Sequence, residues 1–305
     1  MKPILRPLLR LAGAALLACL APGSALALRA ADAPLPWSQG ASRAECPDSD
    51  GYLWLPLAGG NACLRYFAPA GLDGARTVIV YLTGDRDRLL RLPPDRIPGN
   101  TARAQTARMQ RLSRQAGVPV VMLARPGTYG SSGDHRLRRR LAEEFVPLYA
   151  ALDLLRQRHG IDRLVLWGHS GGATAAAAML TMGRSDVRCA VLTSAAFDYL
   201  ERWRINRTRG GPAPSVQRGQ ALARAMYDPL AHVDGVVRDA RRTVHVLGDP
   251  RDTITPFALQ TGFARALQQA GHRAVVQQER GKPPEHHDLR EEAGFRRAAA
   301  CARGD

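Results

Sequence analysis

Leu164-Val165-Leu166-Trp167-Gly168-His169-Ser170-Gly171-Gly172-Ala173-Thr174 is the stretch that decides how this chain folds. A short, wholly apolar run enters Gly-x-Ser-x-Gly at Gly168, and an alanine-rich helical stretch, 175–180, follows. A strand that runs straight into a helix must reverse sharply, and the residue at the tip carries the strain of that reversal. Its neighbours need almost no side chain. Gly168 and Gly172 leave that room, and Gly171 lets the new helix approach closely. Ser170 is then held out at the carboxyl edge of a sheet, beside the N-terminal amides of the next helix. A serine in that position is a candidate nucleophile, and the rest of the chain must supply a base, an acid and an oxyanion hole.

Working outward, apolar runs at 77–82, 119–123, 163–167, 189–193, 243–247 and 274–277 read as strands. Helical stretches fall between and after them. Ala102, Met109, Leu112 and Ala116 share a face within 101–116, and Leu141, Phe145, Leu148, Leu152 and Leu155 recur at helical spacing despite Pro147. Further helices are expected over 215–231, 256–270 and 289–302. This alternation predicts a mainly parallel sheet covered on both faces, because parallel strands need long crossovers. Ligands of such sheets bind outside the carboxyl ends of the strands. Upstream, 52–57 and 62–68 read as a hairpin around Ala58-Gly59-Gly60-Asn61.

A serine hydroxyl becomes a nucleophile when a base takes its proton, and an acid must hold that base in the right tautomer. The strand at 243–247 ends in Gly248-Asp249-Pro250-Arg251-Asp252, followed by Thr253-Ile254-Thr255-Pro256. Asp252 is the candidate acid, with Asp249 as its rival. The last strand leads through Gly281-Lys282-Pro283-Pro284 into Glu285-His286-His287-Asp288-Leu289. His287 is the candidate base, because Asp288-Leu289 would begin a helix directly behind it; His286 is the alternative. The oxyanion donors are expected at the Gly171 amide and, after the strand at 77–82, at the Asp85 amide with Gly84 as its neighbour.

The order nucleophile, acid, histidine, each after a successive strand, resembles the α/β-hydrolase family. Arg125-Pro126-Gly127-Thr128-Tyr129-Gly130-Ser131-Ser132 is similar to that family's Pro-x-x-Gly-x-Gly-x-Ser loop, and Thr83-Gly84-Asp85 stands where it usually has a His-Gly pair. The resemblance covers about 77–302 and implies an α/β-hydrolase fold with a mainly parallel central sheet and a Ser170–His287–Asp252 triad. It also implies that the longer insertion at 197–238 is lid-like. Arg202, Arg204, Arg207 and Arg209 in that insertion are expected to edge the pocket and favour anionic acyl or leaving groups.

Lys2, Arg6 and Arg10 precede an apolar run over 11–20, then Pro22, Gly23 and the small-x-small site Ala25-Leu26-Ala27. This reads as a signal peptide over 1–27, cleaved on export, and places the protein in the periplasm or outside the cell. Leu16-Leu17-Ala18-Cys19 loosely resembles a lipobox, so a lipoprotein anchored at Cys19 is the alternative. Export leaves Cys46, Cys63, Cys189 and Cys301, and the most economical pairing is Cys46–Cys63 with Cys189–Cys301. The expected organisation is an N-terminal segment over 28–76 with a disulfide-stapled hairpin, then a hydrolase domain over 77–305.

The chain carries a net charge of +16, from 43 Lys plus Arg against 27 Asp plus Glu. Its dense basic run, Arg136 with Arg138-Arg139-Arg140, has no interleaved aromatics, so a solvated basic surface is expected and not a nucleic-acid site. No spacing resembles a zinc site, and nothing implies a metal or an organic cofactor. The expected activity is an exported serine hydrolase acting on a small-molecule ester through an acyl-enzyme, without a stable membrane span. A peptidase or amidase with the same triad and a non-catalytic binding protein on the same fold are the other readings. The sequence leaves the oligomeric state open.

Overall fold

The computed structural model describes residues 31–85, 87–208, 215–290 and 292–304. The expected signal peptide with Cys19, and Arg209 with the run 210–214, lie outside the described residues.

The apolar runs form one sheet of eight strands in the order β1-β2-β4-β3-β5-β6-β7-β8. In chain order these are β1 (Tyr52–Leu57), β2 (Gly60–Phe67), β3 (Thr77–Leu82), β4 (Val120–Leu123), β5 (Arg163–His169), β6 (Val187–Thr193), β7 (Thr243–Gly248) and β8 (Ala274–Gln278). β1 and β2 form an antiparallel hairpin, and β2 pairs antiparallel with β4, so the hairpin continues the sheet. All remaining pairs are parallel. The helices between them are α1 (Ala102–Ala116), α2 (His135–Arg138), α3 (Ala142–His159), α4 (Gly171–Thr181), α5 (Tyr199–Thr208), α6 (Val216–Ala225), α7 (Phe257–Gln269) and α8 (Ala293–Arg303). The architecture is the α/β-hydrolase fold that the sequence implies.

Strand alternation divides the core into two layers. Val78, Val80, Leu82, Leu164, Leu166, Ala190 and Leu192 face α3, α4 and α7, meeting Phe145, Leu148, Leu152, Met179 and Phe263. Their alternates Ile79, Tyr81, Val165, Trp167 and Val191 face α1 and α8, meeting Met109, Leu112, Phe295 and Ala298. Each buried Val, Leu, Ile, Phe or Met among them contributes about 1.5–3 kcal/mol by leaving water, so both faces hold the strands in register. α4 is buried along its whole length, which is why alanine dominates it.

Two expected helices are shorter than the sequence suggests. The one expected over 215–231 ends at Ala225; Met226 is extended, and Pro229 opens a separate 3-10 turn, Pro229–Gly235. The last helix begins at Ala293 and not at Leu289, because Leu289 bridges back to Gly281 and the Arg290 N–H donates to the Arg280 carbonyl at 2.8 Å. Those backbone groups are committed before the helix can use them.

Cys46 pairs with Cys63 and Cys189 with Cys301, with Cα separations of 5.9 and 6.1 Å. The second bridge ties β6 to α8 across 112 residues. Closing a loop of that size is worth about 4–5 kcal/mol in the chain-entropy account.

Candidate active site

Ser170 sits at the reversal between β5 and α4 with φ 52° and ψ −123°. That conformation costs on the order of 1–3 kcal/mol for a residue with a side chain, and the surroundings impose it. The Ser170 N–H donates to the Thr193 carbonyl at 2.8 Å. A Cβ on Gly168 would overlap the backbone of Gly172 and Ala173, and one on Gly172 would overlap the Leu82 and Thr83 carbonyls. Glycine is therefore required on both sides of the serine. Ser194 (φ 48°) and His286 (φ 56°), which follow β6 and β8, also have positive φ.

The acid and histidine loops are zipped together. The Thr253 N–H donates to the Glu285 carbonyl at 3.0 Å, and the histidine loop closes on itself through Lys282 N–H to Asp288 O and His286 N–H to Lys282 O, both 2.8 Å. This brings His287 Nδ1 to 2.9 Å from Asp252 Oδ2. Asp252 Oδ1 accepts from the Ile254 and Thr255 amides at 2.8 and 2.9 Å, and Thr255 Oγ1 lies 2.8 Å from Oδ2. Its carboxylate is fully buried and is met by donors on both oxygens. The Ser194 hydroxyl donates to the His287 carbonyl at 2.7 Å, fixing the histidine backbone from β6.

Asp249 and His286 have other partners. Asp249 accepts from the Arg251 guanidinium at 2.9 Å and from the Gly281 amide at 2.7 Å. The Arg251 hydrogen bond holds its carboxyl far below the usual range. His286 Nδ1 is 3.6 Å from Asp249 Oδ2, outside hydrogen-bond range.

Gly84 packs directly on the elbow, since a Cβ there would lie 3.2 Å from both Ser170 Cβ and the His169 carbonyl. Asp85 follows it, and its carboxylate lies so close to Gly171 that a Cβ on Gly171 would overlap it. A bare carboxylate there would oppose a developing oxyanion. Arg125 Nη1 donates to Asp85 Oδ1 at 2.9 Å, Arg140 bonds Oδ2, and Arg139 lies 3.7 Å from Oδ2. Burial works against the ionised form, but Arg140, Arg125 and Arg139 hold the Asp85 carboxyl well below its ordinary value. Arg125 also donates to Glu144 at 2.6 Å and to the Thr83 carbonyl at 3.1 Å, clamping the loops after β3 and β4 onto α3.

This cluster was not visible in the sequence. The run Arg136–Arg140, expected to be solvated surface, divides: Arg138 is exposed beside Glu143, while Arg140 is buried against Asp85. The signal available was Arg125 itself, a charged residue two positions past the end of the apolar strand β4.

His135 packs on the same cluster at 1% exposure, with its Nε2 3.7 Å from Asp85 Oδ1. Burial first, then Arg125, draws its imidazole down to about 3, whereas in the unfolded chain it titrates near 6.5. Between those values the folded state binds fewer protons, so stability falls as pH drops through that window. At pH 5 the contribution lost is about 2 kcal/mol. His135→Asn is expected to flatten the decline in unfolding free energy between about pH 7 and pH 5, measured by urea titration; an unchanged slope contradicts the assignment.

Ser170, His169, His287, Gly84, Asp85, Arg139, Arg140 and Arg202 line one cleft of about 650 Å³. Of the insertion's arginines expected to edge the pocket, Arg202 does so. Arg204 is exposed and pairs with Glu201, and Arg207 covers the Trp203 ring at 5.1 Å. Away from the cleft, the Cys189 and Cys301 sulfurs and a His245 ring nitrogen lie within 4.8 Å of one another. The two sulfurs are bonded to each other, and a disulfide is not the thiolate that metals take. Among the described residues, no helix is long and apolar enough to cross a membrane.

The class this arrangement defines is the α/β-hydrolase fold, and solved structures with the same fold agree. The Pyrococcus furiosus esterase Pf2001 is 11% identical with a TM-score of 0.56, covering 89% of this chain and 97% of that one. Est1E from Butyrivibrio proteoclasticus is 12% identical with a TM-score of 0.55, covering 82% and 96%. An acylaminoacyl peptidase in complex with Z-Gly-Gly-Phe-chloromethyl ketone is 14% identical with a TM-score of 0.53, covering 80% of this chain. The chain spans 39% of that peptidase's length. No protein-family model and no curated protein matches the sequence.

Proposed function

We propose that this protein is an exported serine hydrolase that cleaves carboxylic ester bonds through an acyl-enzyme. The observation that carries this reading is the buried Asp252 carboxylate 2.9 Å from His287 Nδ1, in the cleft that His287 shares with the strained Ser170. With its proton held on Nδ1, the His287 imidazole presents Nε2 as the free base. Ser170 Oγ attacks the ester carbonyl carbon as Nε2 takes its proton. The tetrahedral oxyanion is met by the Gly171 amide and, from the loop after β3, the Asp85 amide. His287 returns the proton to the departing alkoxide, and a water activated by the same nitrogen then releases the acid.

Export is supported by the segment at 1–27 and by two disulfides in a chain of this kind. Arg202 of α5 lining the cleft supports reading the insertion at 197–238 as lid-like. Amide hydrolysis with the same residues is the second reading, and the fold shared with the acylaminoacyl peptidase favours keeping it. Coverage favours the ester: this chain spans nearly the whole of the Pf2001 esterase.

The test is fluorophosphonate labelling followed by turnover of p-nitrophenyl esters against aminoacyl-anilides. Labelling of the wild type, absent in Ser170→Ala, with preferential ester turnover is the expected result. A wild type that does not label removes the enzyme reading, and preferential anilide turnover replaces esterase by peptidase.

A further inference from the structure

The charged groups around the cleft cancel in pairs, with one guanidinium left over. Arg88 lies 3.5 Å from Glu285, Arg139 bonds Asp87, Arg140 bonds Asp85, and His169 Nε2 lies 3.0 Å from Asp288. Arg202 has no carboxylate partner among the described residues. Its Nε donates to the Ile254 carbonyl at 3.1 Å, which uses one donor of the fork. Lys282 also lines the cleft, but it is exposed, and water screens it.

The position of Arg202 is fixed from behind. Its backbone N–H donates to the Asp198 carbonyl and the Tyr199 N–H to Asp228 Oδ2, both at 2.8 Å, so α5 is anchored at its first turn. Tyr199 is buried, and the Arg140 guanidinium lies 5.9 Å from its ring. Arg140 and Arg202 line the same cleft as Ser170, and Asp85 compensates Arg140. Arg202 is partly buried at the cleft wall, and burial, then Arg140, draws its guanidinium down to about 10. A guanidinium without a carboxylate beside it gains most from an incoming carboxylate, which its planar fork meets with two parallel bonds.

We propose that the cleft selects esters carrying a carboxylate in the acyl or the alcohol part, with Arg202 as the group that binds it. This rests on the serine-hydrolase reading above. A cleft of about 650 Å³ suits small esters, such as the monoester of a short dicarboxylic acid. A neutral ester of the same size leaves Arg202 unpaired and forfeits the interaction.

The experiment compares kcat/KM for mono-p-nitrophenyl glutarate, with its charge in the acyl part, against p-nitrophenyl butyrate. It also compares 4-acetoxybenzoate, with its charge in the leaving group, against phenyl acetate. The wild type is expected to favour the anionic member of one pair by about tenfold or more, and that pair identifies the side the carboxylate occupies. Arg202→Gln should lose this ratio and Arg202→Lys keep part of it, while Arg204→Gln retains it. A ratio equal in wild type and Arg202→Gln, or below one for both pairs, overturns the proposal while leaving the esterase intact.

Calorimetric binding of glutarate to Ser170→Ala gives a readout free of catalysis. Binding weakened about tenfold or more by adding Arg202→Gln supports the anion site, and unchanged binding refutes it. If no ester turns over and no fluorophosphonate labels, the hydrolase reading fails, and this titration alone decides the anion site.

Discussion

Asp252→Asn is expected to lower kcat about ten-thousandfold, roughly 5.5 kcal/mol of transition-state stabilisation, with little change in KM. The reason is specific to this loop. The Ile254 and Thr255 amides both donate to Asp252 Oδ1, so an asparagine must turn its carbonyl oxygen toward them. Its NH2 then faces His287 Nδ1, which becomes an acceptor and moves the ring proton to Nε2. A protonated Nε2 cannot take the Ser170 proton. The fold should survive, because the amide keeps both backbone donors satisfied and Thr255 Oγ1 can accept where it had donated. Steady-state kinetics together with a thermal melt check this, and a variant within tenfold of wild-type kcat would remove Asp252 from the proposed triad.

Arg125→Met is expected to cost about 3–5 kcal/mol of stability. Arg125 is fully buried, and its partners Glu144 and Asp85 are 1% and 12% exposed. Removing the cation leaves both carboxylates short of a partner where water cannot reach them easily. Arg140 still faces Asp85, so Glu144 bears most of the loss. Adding Glu144→Gln should recover part of it, because the second change removes the stranded charge. Denaturant midpoints of the single and double variants measure both effects; a midpoint unchanged by Arg125→Met refutes the account. The single variant should also turn over ester more slowly, since Arg125 holds the loop that packs on Ser170.

What could be read from the sequence was local or periodic. The strands follow from contiguous apolar runs, α1 from its spacing of Met109, Leu112 and Ala116, and the elbow from glycines whose absent side chains leave room for nearby backbone. The meeting of Asp252 with His287 was legible because each follows the end of a strand, where sheet topology gathers loops. The Arg125–Asp85–Arg140–Glu144 cluster was not. Its paired side chains are 19, 40 and 55 residues apart, no periodicity relates them, and an arginine in sequence reads the same whether it is solvated or enclosed. Thr255 and Ser194 escaped notice for a related reason, because a hydroxyl is ordinary anywhere until a carboxylate or a carbonyl is found beside it. The helix boundary at Leu289 was misplaced because a bridge to Gly281, distant in register, outbids local helical propensity.

The bond between Cys189 and Cys301 gives the chain the topology of a ring with a tail. Asp252 and His287 ride on the ring, and Ser170 lies on the tail, before the ring closes. A single backbone break anywhere between those cysteines opens the ring without dividing the molecule. Asp252 and His287 stay tethered to the half that carries Ser170, even when the cut falls in the insertion at 197–238. A break between Ser170 and Cys189 is different, because it separates the two halves outright unless packing holds them. The molecule can therefore be cut within the insertion at 197–238 and still keep Ser170, Asp252 and His287 on one covalent object.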